Sequence, residues 1–206
     1  MKNRFFDSRI LVSGLLMFAF SITAVAQPEG ITYQKKDVDY SGYNKVFLMP
    51  LDLSDVKVEK PVWEQDDPEE WSFDGGAGEE IQQLFHEIIS HELSKYDGYE
   101  VVDKGGEGVL QLEVEFLSIT PYVKPGTRVD DDPGYVISTL GSGDVFLSAE
   151  IRDSLTGALF VLVEGERTFG TEYKELSREN HIQNLKETFK KWGYRIRLWL
   201  DVNTNS

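Results

Sequence analysis

The segment His86-Glu87-Ile88-Ile89-Ser90-His91 carries the residue types of a zinc hydrolase. Such an enzyme needs its histidines at i and i+4, so that both imidazoles share one helical face with the Glu beside them. Here they are five apart, about 140° around a helix of 3.6 residues per turn. His86 then points to the polar side and His91 flanks the apolar stripe, which reads as a surface helix. Gly75-Gly76-Ala77-Gly78, just ahead of that helix, has the composition of a phosphate cradle. It follows an acidic loop, however, and puts Glu79 and Glu80 where the anion would sit. Gly141-Ser142-Gly143 lacks the GxSxG spacing of a nucleophile elbow and reads as a turn. Asp153 to Gly157 reads as hairpin chemistry, with a carboxylate to accept backbone N–H groups and a glycine free to take positive φ. No catalytic residue, resident metal or cofactor site emerges, and the expectation is a protein that is not an enzyme.

Two segments keep a functional reading beside a structural one. Asp130, Asp131 and Asp132, followed by Pro133-Gly134, offer hard oxygen ligands for a divalent cation such as Ca²⁺, without the spacing of an EF-hand. The same run also reads as a solvated acidic turn. Trp63, Trp71 and Phe73 stand in a connector with Asp66, Asp67, Glu69 and Glu70. They are either anchors for a partner protein, since aromatics dominate interface energetics, or a flap folded back over the sheet, since large exposed apolar patches are uncommon.

Composition narrows the choice. The chain has 206 residues, 36 Asp plus Glu against 21 Lys plus Arg, a net charge of −15 and no cysteine. The acidic excess excludes a nucleic-acid partner, because binding a polyanion relies on Lys and Arg neutralising phosphates. The absence of cysteine excludes disulfides, thiolate metal sites, a cysteine nucleophile and a lipidated N-terminal cysteine. With 40% hydrophobic and 12% aromatic residues the chain is folded rather than disordered.

Residues 1–26 read as a secretory signal peptide. Lys2, Arg4 and Arg9 form the basic start, an apolar run follows from Ile10, and Ala24-Val25-Ala26 satisfies the small-x-small rule for cleavage between Ala26 and Gln27. The run is shorter and more interrupted than the roughly 20 apolar residues of a membrane span. The alternative is retention as an anchor. Export to the periplasm of a Gram-negative cell is the expectation, with no further spanning segment and no lipid attached through cysteine.

Residues 27–43 show no period and read as an N-terminal linker, and residues 44–202 read as one domain. Lys45 to Leu51 is a short apolar run ended by Pro50, the pattern of a strand buried on both faces. Ile81, Leu84, Phe85, Ile88, Ile89 and Leu93 repeat with helical spacing, and Asp97-Gly98 offers a stop. A short strand follows at Tyr99 to Asp103. Leu110, Leu112, Val114 and Phe116 alternate with polar residues, as do Val145, Leu147, Ala149 and Ile151. Ala158 to Thr168 returns as a hairpin partner in which Gly165 marks a bulge. Residues 53–77 and 121–142 read as loops. A last helix runs from an N-cap at Ser177 to about Asp201. The expected fold is α+β, in the order β-α-β-β-β-β-α. One mixed, mostly antiparallel sheet of about five strands carries both helices on one face, leaving Glu113, Glu115, Glu150 and Arg152 on a wet one.

With these elements placed, the chain resembles the bacterial domain-of-unknown-function family 3313, whose members are mostly envelope lipoproteins. The likeness rests on Tyr43-Asn44-Lys45-Val46, on Gly98-Tyr99-Glu100-Val101-Val102-Asp103 and on Gly108 to Leu112. It extends to the hairpin from Glu150 to Leu159 and to Phe189-Lys190-Lys191-Trp192-Gly193. The resemblance implies an exported α+β module with no established activity. The chain departs from it at Gln27, where a lipoprotein has cysteine. The functional expectation is a non-catalytic periplasmic or cell-envelope interaction module with an unidentified envelope protein as partner. The alternative is a periplasmic protein binding a small ligand or divalent cation.

Overall fold

The computed structural model describes residues 30–65, 71–73, 76–125 and 138–204. The expected signal segment, with Ala26 and Gln27, lies outside the described residues, as do Asp130, Asp131 and Asp132. The elements are β1 (Ile31–Gln34), β2 (Lys45–Leu48), β3 (Lys57–Val58), α1 (Ala77–Ser94), β4 (Glu100–Val102), β5 (Val109–Pro121), β6 (Ser138–Leu140), β7 (Gly143–Asp153), β8 (Leu159–Thr168), β9 (Tyr173–Glu175) and α2 (Arg178–Thr204). The fold is α+β. A mixed seven-stranded sheet runs β1-β8-β7-β5-β2-β4, with β3 also paired to β5. β6 and β9 form a separate antiparallel ribbon.

The long meander β5-β7-β8 is the scaffold. Leu110, Leu112, Val114 and Phe116 of β5 lie opposite Asp153, Ile151, Ala149 and Leu147 of β7. Period-2 alternation therefore turns the apolar set to one face. α1 and α2 cover that face: Phe85 and Ile89 of α1 and Trp192 and Trp199 of α2 meet Val114, Leu147 and Val161 across one space. Burying Ile81, Phe85, Ile89 and Leu93 along α1 completes the layer. Glu79 and Glu80 occupy the first turn of α1. The N-cap of α2 is Ser177, whose Oγ accepts from the Asn180 N–H at 3.2 Å. The two helices touch closely at Gly193, where a Cβ would lie 2.7 Å from Glu92 Cβ.

Several expectations are corrected. The sheet gains two strands, β1 and β3, too short to show a period. Residues 27–43 are not all linker: Ile31, Tyr33 and Gln34 pair with β8, and Tyr40 is buried with its ring edge-on to Phe160 and Trp199. β2 is central and parallel to both β4 and β5, but only Val46 and Leu48 are buried. Lys45 and Phe47 stay half-exposed because no helix lies on their side. Pro50 ends β2 without ending the lane. Asp52 bridges Glu115 and β3 pairs with Ser118 and Ile119, so the chain keeps following β5. Gly165 keeps a regular pairing with Leu147; the register slips instead between Ile151 and Arg152, opposite Phe160. The segment 121–142 yields β6 at its end.

Candidate functional site

The sheet face away from the helices is assembled by cross-strand register. Glu113 stands opposite Glu150, Glu115 opposite Ser148, and Ser118 opposite Phe146. On the other side of β7, Glu150 faces Leu162, Ser148 faces Glu164 and Phe146 faces Glu166. Direct cross-strand neighbours share a face, so five glutamates gather on one surface. Its one arginine, Arg152, is already engaged, its Nε donating to Glu150 Oε2 at 2.6 Å. Lys57, opposite Ser118, is on the same face and is paired with Glu59, and the balance of charge over the surface stays negative.

On this surface lies an apolar group. Phe146 is 42% exposed, and Leu117, in the register slip between Phe116 and Ser118, is 37% exposed. At the same end of β7, Asp144 accepts from the Tyr122 hydroxyl at 2.5 Å and from the Thr168 hydroxyl at 2.7 Å. Burial, and then this carboxylate, push the Tyr122 phenol up to about 12. Trp63 stands edge-on against the Tyr122 ring with centroids 5.1 Å apart, and is 46% exposed. The connector aromatics therefore split. Trp63 is displayed at the sheet end, Phe73 packs against the core, and Trp71, 3% exposed, is part of the core. The expectation of Trp71 as a partner contact is corrected: its ring is spent on folding and offers a partner no surface.

The histidine motif does not form a site. His86 and His91 are both exposed on α1, and among the described residues no cluster of three or more His, Asp or Glu side chains is placed to hold a metal. His181 on α2, which belongs to no motif, makes a more specific contact. Its Nδ1 lies 3.2 Å from the Ser142 carbonyl and 3.1 Å from Ser142 Oγ. A carbonyl can only accept, so Nδ1 carries the proton. Removal from water lowers this imidazole to about 4, leaving it neutral at physiological pH. Ser142 is itself 3% exposed, and its Oγ also lies 3.4 Å from the Phe169 carbonyl, to which it donates. The pair resembles a nucleophile and base in composition and acts as a clasp between α2 and the start of β7.

The hairpin turn follows its expected chemistry. Asp153 Oδ1 accepts from the Thr156 N–H at 2.6 Å, and Oδ2 accepts from the Tyr43 hydroxyl at 2.7 Å. Those bonds, the Thr156 hydroxyl's foremost, hold the Asp153 carboxyl below its ordinary range.

Two residues that the sequence reading missed carried a signal in the strand pattern, one on each face of the sheet. Phe146 is the aromatic in the polar phase of β7, between inward Val145 and Leu147. Arg167 is its converse, a charge in the apolar phase of β8. Tyr122 and Asp144 had no such signal, since they meet across 22 residues.

An α+β sheet with one helix-covered face and one acidic open face defines the class of this molecule. The chain belongs to the family of proteins of unknown function DUF3313, whose model matches residues 21–196. Among solved structures it is similar to the PelC dodecamer from Paraburkholderia phytofirmans, at 12% identity and a TM-score of 0.38, covering 80% of this chain and 96% of that one. It is also similar to a protein from Xanthomonas campestris, at 6% identity, a TM-score of 0.42 and coverages of 84% and 94%. A candidate lipoprotein from Caulobacter crescentus shows 11% identity, a TM-score of 0.33 and coverages of 71% and 87%. No curated protein matches the chain in sequence. Among the described residues no helix is long and apolar enough to cross a membrane.

Proposed function

We propose that this chain is an exported, non-catalytic module of the cell envelope that holds a protein partner against the open face of its sheet. One observation carries the reading. Phe146 and Leu117 are exposed beside the glutamates of β5, β7 and β8, and the Trp63–Tyr122 pair stands at the same end of β7, where the Tyr122 hydroxyl donates to Asp144. A complementary partner presents an apolar centre ringed by Lys and Arg, the arrangement in which charge steers and apolar contact retains. The Ala24-Val25-Ala26 signal pattern supports export. The burial of Ser142 and its bond to the Phe169 carbonyl support a role without catalysis.

The test is capture of envelope proteins by tagged wild type and by a Trp63→Ala, Phe146→Ser double variant, each checked for an unchanged circular dichroism spectrum. Trp71 is left intact because it belongs to the core. A partner of this site is lost with the double variant, by about tenfold or more in affinity, and also weakens as salt rises. Capture that survives both changes removes the open face from the account.

A further inference from the structure

The opposite face of the sheet holds an open cavity of about 170 Å³ between β7, β8 and α2. Its walls are apolar, with Leu147, Ile151 and Val163 below and Ile196 and Trp199 above. An engineered protein cavity of about 150 Å³ with such walls stays dry and takes up benzene. The polar side chains on this cavity are two arginines, Arg167 of β8 and Arg195 of α2. Arg195 is exposed and Arg167 half-buried.

Arg167 sits on the helix-covered side of the sheet, in line with Val161, Val163 and Gly165. Its route is cleared by two glycines. A Cβ at Gly30 would collide with Nη2, and one at Gly165 would lie 3.1 Å from Nη1. Its hydrogen bond runs from Nη1 to the Glu166 carbonyl at 2.6 Å. Among the described residues no carboxylate pairs with Arg167 or with Arg195, in a chain with a large surplus of acids. Both guanidinium groups thus border an apolar cavity without a carboxylate partner, and an anion arriving with a ligand finds their charge unneutralised.

We propose that this cavity binds a single-chain anionic amphiphile, its carboxylate or phosphate head on Arg167 and Arg195, the first several carbons of its acyl tail among Leu147, Ile151, Val163, Ile196 and Trp199, and the rest of the tail leaving through the open side. Guanidinium groups suit both heads, because their N–H fork matches two oxygens at once. The site lies across the sheet from the acidic face and stands independently of the partner reading.

The experiment uses delipidated protein and cis-parinaric acid, a carboxylate whose polyene fluoresces in apolar surroundings. Sodium laurate, dodecyl phosphate, 1-decanol and dodecyltrimethylammonium compete with it below their micelle concentrations. Either anion should displace the probe at concentrations about tenfold lower than the cation, and the better of the two identifies the head. Arg167→Met and Arg195→Met should each weaken laurate several-fold while leaving 1-decanol unchanged, and Ala149→Leu, which fills the cavity floor, should weaken every competitor. Equal displacement by anion and cation overturns the proposal. So does laurate affinity that survives both Arg→Met changes in a folded protein, or probe fluorescence that never rises.

Discussion

Acidification should loosen the clasp between His181 and Ser142, and the size of the effect follows from two values. The imidazole titrates at about 4 in the folded chain against an ordinary 6.5, because burial disfavours its charged form. The unfolded chain therefore binds a proton that the native state refuses, and stability falls as pH drops through that window. The contribution is complete above pH 6.5. It declines by about 2 kcal/mol by pH 5 and about 3 kcal/mol by pH 4, then levels off below the folded value. These figures are upper bounds, since part of the ring keeps contact with water. Urea unfolding at pH 7, 6, 5 and 4 of wild type and His181→Gln measures it, because carboxylates common to both chains cancel in the difference. Glutamine retains an N–H for the Ser142 carbonyl and does not titrate, so the variant should gain on wild type by about 3 kcal/mol between pH 7 and pH 4. A difference in unfolding free energy that stays constant across the series refutes the depressed imidazole.

Asp153→Ala should cost about 2 to 3 kcal/mol in thermal or urea unfolding, because it strands the Tyr43 hydroxyl and the Thr156 N–H together. The same variant should bring the Tyr43 phenol, held at about 12 by burial and then by Asp153, part of the way towards 10 in an ultraviolet titration. Gly193→Ala should destabilise by about 1 to 2 kcal/mol although alanine is the better helix former, since the new methyl meets Glu92 Cβ at 2.7 Å and forces the helices apart. A melting temperature equal to wild type or above it would mean that α1 and α2 are not in close contact there.

What could be read along the chain was whatever repeats. The stripe from Ile81 to Leu93 and the alternation from Leu110 to Phe116 each record a single buried face many times over, so α1 and β5 were legible. The N-cap at Ser177 and the turn at Asp153 were legible because their chemistry is local. Ile31 to Gln34 was not, because a short edge strand owes its conformation to β8. Lys57-Val58 is two residues held by β5, and β6 by β9. The apolar run at Val46 to Leu48 invited burial on both faces, and only the placement of both helices on one side decides otherwise. The open face was legible in outline from Glu113, Glu115, Glu150 and Arg152. The meeting of Trp63, Tyr122 and Asp144 was not, because three distant segments supply it. Trp71 and Trp63 lie eight positions apart in one acidic connector, and composition could not tell which was core and which was display.

The pairing of β1 with β8 also orders events in time. Thr32 and Glu164 lie 132 residues apart and are joined by a hydrogen bond, so the first strand of the chain cannot settle until the last long one exists. Closing so large a loop is slow, and local hairpins and helices form ahead of it. A chain that emerges N-terminus first, as every chain leaves the ribosome, presents β1 at its head and β8 far behind. Throughout that passage the sheet lacks an edge and the apolar phase of β8 lacks its cover. The sheet thus stays open at that edge until nearly all of the chain is present, and closes only when β8 has arrived.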